Sequence, residues 1–211
     1  MYRIICALLL FVPSMGAIAH AQYNYIPSQP PDAFQGRYFA NLNVADSDID
    51  ITNMGTRNGN DPAGNICANV YTFSPDEQLI SCCSCLVTPD GLVNLGVTRD
   101  LTSNTLTGVI PTSVVVKLLA TAPAATTPTS CSNSAARMGV LAPGMRAWGT
   151  TVHAAPPAGT YQVTETEFSK AVLSSTEWSR ITSTCGFIND NGSGFGVCRS
   201  CRAGGLAPVR P

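Results

Sequence analysis

The run Leu79-Ile80-Ser81-Cys82-Cys83-Ser84-Cys85-Leu86-Val87 places three cysteines within four positions of a segment with the composition of a β-strand. Side chains alternate along a strand, so Cys83 and Cys85 leave one face and Cys82 leaves the other. One strand can therefore be tied down on both sides. The flanking residues support this reading. Asn65 to Phe73 is rich in β-branched and aromatic residues, and Ser74-Pro75-Asp76-Glu77 has turn chemistry. Thr88-Pro89-Asp90-Gly91 forms a second turn, leading into Leu92 to Val97. Three strands joined by two short turns predict a meander.

The partners for those cysteines lie further along the chain. Of nine cysteines, Cys6 falls in an N-terminal segment with the marks of an export signal, and eight remain: Cys67, Cys82, Cys83, Cys85, Cys131, Cys185, Cys198 and Cys201. That segment has Arg3, an apolar run from Ile4 to Val12, Pro13, and Ala19-His20-Ala21 as a small-x-small cleavage site. The run is too short for a comfortable membrane span, and no later run approaches the roughly 20 apolar residues a spanning helix needs. Residues 1–21 are thus read as a leader, with cleavage after Ala21. An even set of cysteines in an exported chain points to disulfides. The alternative is a thiolate metal site, but adjacent strand cysteines diverge, which suits separate bridges better than one tetrahedral centre. Disulfides are favoured, with their pairing left open.

Composition excludes some functions. Net charge is −1 and only 12% of residues are charged, so there is no basic face for nucleic acid. Thr, Ser, Asn, Gly and Pro abound, as in extracellular β-domains. The expected fold is all-β, an antiparallel sandwich of immunoglobulin-like or jelly-roll type with one short C-terminal helix. One domain is expected over 36–211, preceded by an extended tail over 22–35.

Within that domain, Gly36 to Val44 and Asp48 to Asn53 read as strands, the second as a solvated edge. Val114 to Leu119 is continuously apolar, as at the centre of a sheet. Met145 to His153 and Thr160 to Thr166 read as a pair joined by Pro156-Pro157-Ala158-Gly159. Ser174 and Glu177 form a capping box, and Ala171, Trp178, Ile181 and Cys185 recur near helical spacing.

Several residues could carry function. Tyr23, Tyr25 and Ile26 belong to a short alternating segment set off by Pro27-Ser28-Gln29-Pro30-Pro31, the form of a strand donated to a neighbour. Asp46, Asp48 and Asp50 offer hard oxygens suited to Ca²⁺, without EF-hand spacing. Thr126, Thr127 and Thr129 lie in a low-complexity stretch of the kind that carries O-linked sugars, and Asn191-Gly192-Ser193 is a glycosylation sequon. Catalysis has thin support. It rests on His153, the one histidine beyond the leader, and on Glu165 and Glu167, which share a strand face. No catalytic residue and no cofactor is expected.

The run from Asn65 to Phe73, the Cys82-Cys83-Ser84-Cys85 strand and the ending from Gly194 to Cys201 together resemble a group of exported bacterial proteins of unknown function. That resemblance implies a cell-envelope or extracellular product and transfers no catalytic residue. In architecture alone, a proline-separated N-terminal strand before a disulfide-rich β-domain is similar to subunits of extracellular filaments built by strand donation. The leading expectation is a secreted structural subunit that assembles head to tail with copies of itself into a fibre, Gln22 to Ile26 donating the strand and Val114 to Leu119 or Met145 to His153 lining the acceptor groove. A monomeric module binding glycans or a surface is the alternative, and a secreted hydrolase the third.

Overall fold

A computed structural model of the chain describes residues 29–55, 63–124, 130–132 and 139–201. Residues 1–21, read as a leader, the tail residues Tyr23, Tyr25 and Ile26, and the threonines Thr126, Thr127 and Thr129 lie outside them. Nine strands run in the order β1 (Phe34–Phe39), β2 (Asp48–Asn53), β3 (Ile66–Phe73), β4 (Leu79–Val87), β5 (Leu92–Gly96), β6 (Val114–Thr121), β7 (Met145–Ala155), β8 (Thr160–Glu167) and β9 (Ser169–Lys170). They are followed by one helix, α1 (Ser175–Asp190).

Two antiparallel sheets form the sandwich, one ordered β4-β3-β6-β1-β9 and the other β5-β2-β7-β8. Their facing side chains make the main core, with Phe39, Ile49, Ile51, Val70, Leu95, Leu118 and Met145 fully or almost fully buried. Helix α1 covers the far side of the five-stranded sheet through Ile181, Cys185 and Ile188, which meet Tyr71, Phe73, Leu79 and Leu119, with Trp178 half-buried beside them. Strands β3 and β4 are therefore buried on both faces and lack polar alternation. The helix has its expected N-cap, with Ser174 Oγ accepting from the Glu177 N–H at 3.1 Å, but the Glu177 carboxylate turns to Lys117 and Arg180, and Ala171 lies ahead of the helix.

Three expectations are corrected. The meander fails: β3 and β4 pair, but β5 crosses to the other sheet and pairs with β2. The turn at Thr88–Gly91 thus connects layers. Strand β2 is no edge, since β5 and β7 flank it. Its Asp48 and Asp50 alternate outward because that sheet's outer face is solvated. Strand β1 runs Phe34–Phe39 rather than Gly36–Val44, and Asn41 at φ 60° takes the left-handed conformation that turns the chain. A six-residue π-helical turn, Val97–Thr102, and the two-residue β9 had no counterpart in the sequence reading.

Candidate assembly edge

Eight of the nine cysteines form four disulfides: Cys67–Cys131, Cys82–Cys185, Cys83–Cys198 and Cys85–Cys201. Cys82 lies in the cluster under α1, while Cys83 and Cys85 lie in the main core, which is the alternation read from the strand. No helix among the described residues is long and apolar enough to cross a membrane. Four bridges are the chemistry of an oxidising, non-cytoplasmic compartment.

Two of the bridges dispose of one sheet edge. Cys198 and Cys201 draw the C-terminal segment along β4, where the Cys82 N–H donates to Gly196 O at 2.8 Å. On the same strand, Leu106 N–H donates to Ile80 O at 2.8 Å and Ser81 Oγ donates to Leu101 O at 2.6 Å. Edge strands offer unpaired backbone groups to other chains, and covering them removes that template. The outer edge of β4 is thereby occupied at Ile80 and Cys82, and the bridges from Cys83 and Cys85 hold the C-terminal segment beside it.

The opposite corner is built differently. Strand β8 passes into β9 through Phe168, whose side chain enters the core while its N–H donates to Ala147 O at 2.8 Å. At Ser169 the chain has changed sheets and pairs with Gly36 of β1. The two layers are sutured here by Arg37. Its guanidinium lies 4.2 Å from the Phe39 ring centroid and donates to Thr166 Oγ1, Thr150 O and Thr151 Oγ1 at 3.0, 3.3 and 3.1 Å. Burial pulls its pKa below the ordinary arginine value. Gly149 makes room for it: a Cβ there would stand 2.7 Å from Phe39 Cζ and 2.8 Å from Arg37 Nη1.

Beyond the suture, β8 projects as an edge with no strand paired on its outer side among the described residues. All eight of its residues are exposed, with Tyr161 at 57% and Val163 at 62%. It is the last strand of its sheet, and the other end strands with no further strand beside them among the described residues, β5 and β9, have only five and two residues. The orientation of its backbone follows from β7. Gly144 O accepts from Met54 N–H and Val152 O accepts from the Asn41 amide, so even-numbered residues there point away from β8. Gly149, Thr151, His153 and Ala155 consequently face Thr166, Thr164, Gln162 and Thr160. Tyr161, Val163 and Glu165 therefore direct their N–H and C=O groups outward.

The other sequence-selected residues are dispersed. Glu165 and Glu167 share the sheet's outer face, and Glu167 bridges Arg146 at 2.6 Å. His153 lies on the opposite face, within 3.4 Å of Asn41 Nδ2 and 3.1 Å of Thr164 Oγ1. The structure does not bring the three together. The aspartates surround a guanidinium. Arg99 contacts Asp46 at 3.8 Å, Asp48 at 3.6 Å and Asp100 at 3.1 Å, and Asp50 accepts from Asn94 at 2.9 Å. Burial pushes the Asp48 carboxyl up against the pull of Arg99, with Asp46 and Asp50 adding to the rise and Asn94 opposing it. Among the described residues, no group of three or more His, Cys, Asp and Glu is placed to hold a metal. Asn191 caps α1 in the open, its Oδ1 accepting from Ser193 N–H. Arg37, Gly149 and the free side of β8 were missed by sequence reasoning. The one signal in the sequence for the last is that six of the eight residues from Thr160 to Glu167 are polar.

Fold and edge together define a disulfide-braced antiparallel β-sandwich, with one long sheet edge lined by the segment from Gly196 to Cys201 and another open among the described residues. Comparison with protein-family models, with curated proteins and with solved structures finds no match.

Proposed function

We propose that the chain is a secreted structural subunit that assembles with copies of itself into an extracellular or surface fibre, by adding its N-terminal strand to a neighbour's sheet. The observation that carries this is the uncovered edge of β8, exposed along all eight residues in a molecule that covers β4. An open edge is the template used when a strand from another chain is added. Four bridges suit a part that must resist unfolding and proteolysis, at roughly 2–4 kcal/mol each. A tail-into-edge contact joins different surfaces of successive subunits, so it propagates without closing. The expectation that Val114–Leu119 or Met145–His153 lines the acceptor is revised. β6 is paired on both sides, and β7 has β2 and β8 as neighbours. The acceptor is placed at β8 in this reading. A free peptide of residues 22–31 added to assembling protein is expected to cap acceptor edges and shorten the polymers in proportion to its concentration. Polymers of unchanged length at saturating peptide would refute strand donation.

A second reading is a module that binds glycans. Trp148, half-buried on the outer face of the four-stranded sheet, has Asp50 and Glu167 as cross-strand neighbours and Arg146 at 5.7 Å from its ring. An aromatic plane ringed by hydrogen-bonding side chains suits a sugar ring. Tryptophan fluorescence that changes saturably with an oligosaccharide would favour it, and a flat response across a glycan panel would remove it.

A further inference from the structure

Resting on the strand-donation reading, we infer that the acceptor is the outer half of β8, Thr160 to Thr164, and that its occupant is Gln22–Ile26 of a second copy, never of the same chain. Three observations support this. The first is charge. Along β8 the outward-facing backbone belongs to Tyr161 and Val163 in one half and to Glu165 in the other, followed by Glu167 and its bridge to Arg146. Gln22-Tyr23-Asn24-Tyr25-Ile26 carries no charge and matches the five uncharged residues of the first half in length. Uncharged aromatic and β-branched neighbours favour strand pairing, and prolines at 27, 30 and 31 stop the ladder from extending.

The second observation is continuity. The side of the β8–β9 run that pairs with Gly36 at Ser169, and donates from Ala171 N–H to Phe34 O, is the side left open at Tyr161 and Val163. An added strand there would extend a sheet face that this molecule already uses.

The third observation is reach. Gln29 is fastened beside Ala171 and Leu173, its Nε2 donating to Ala171 O at 2.8 Å and its Oε1 accepting from Leu173 N–H at 2.7 Å. Ala171 is level with Phe34, whereas Thr164 touches His153 and, through it, Asn41 beyond the other end of β1. The length of β1 alone separates them, about 17 Å at roughly 3.3 Å per residue. From Ile26 to Gln29 the chain spans only about 10 Å when fully extended. A tail cannot cover its own Thr160–Thr164, so the edge is left for another molecule.

The test is Val163→Pro in the full chain expressed without its leader. The Val163 N–H points away from β7, so proline removes a donor from the free edge and none from the β7–β8 ladder. The variant is expected to keep the native unfolding midpoint within a few degrees and to reduce polymer mass at least tenfold. Binding of a labelled Gln22–Ser28 peptide to protein beginning at Gln29 should disappear with the same substitution. Full polymer and full peptide binding in Val163→Pro would overturn the assigned site. If the protein beginning at Gln29 also polymerises, the donation reading itself fails. Wild-type protein that neither polymerises nor binds the peptide would refute both.

Discussion

Cys82 and Cys83 are neighbours in β4, yet their sulfurs leave on opposite faces, Cys82 to Cys185 of α1 and Cys83 to Cys198 of the C-terminal segment. One strand thereby fastens the helix to one side of the sheet and the chain terminus to the other. The bridges close stretches of 103 and 115 residues, long enough for a large entropic restriction of the unfolded chain. Replacing Cys82 and Cys185 by alanine should lower unfolding stability by roughly 2–4 kcal/mol and expose the α1 amides to hydrogen exchange, while the main core stays protected. Uniform loss of protection would show that the helix is not a separate layer.

Gly149 is expected to be intolerant of any side chain. Its Cβ would meet the Phe39 ring and the Arg37 guanidinium, both held by packing and hydrogen bonds. Gly149→Val should cost about 1–3 kcal/mol, measured by denaturant unfolding. Arg37→Met, which keeps much of the bulk on Phe39, should cost less. Equal losses would mean that the hydrogen bonds to β7 and β8 outweigh the packing.

Glu177 predicts an acid limb. Burial pushes its carboxyl up, but the hydrogen bond and charge of Lys117, reinforced by Arg180, outweigh this and hold it below the usual carboxylate range. The ionised form is thus favoured by folding. Its contribution is present above the unfolded carboxylate range and is lost as pH falls through the depressed folded value. Glu177→Gln should flatten the fall in unfolding midpoint over that acidic interval and leave the curve above it parallel to wild type. An unchanged acid limb would assign the loss to other carboxylates.

Much of the fold was legible because strand faces write themselves into residue type. The bounds of β4, the divergence of its cysteines, the β7–β8 pair and the N-cap at Ser174 all follow from alternation, turn residues and capping. Pairing partners are not encoded in that way. Leu92 to Gly96 alternates identically whether it continues a meander with β4 or crosses to meet Ile49 and Ile51. Asp48 and Asp50 likewise look the same on an edge and on the solvated face of an inner strand. The Arg37 suture joins residues more than a hundred positions apart, with no local signature. The candidate edge was legible only as a strand, since which described segments lie beside it is not written in its own residues.

The central claim is tested most directly by negative-stain electron microscopy of the chain from Gln22, purified from an oxidising host, beside the same chain begun at Gln29. Regular fibres are expected from the first and single particles from the second. Fibres from both, or single particles from both, would contradict it.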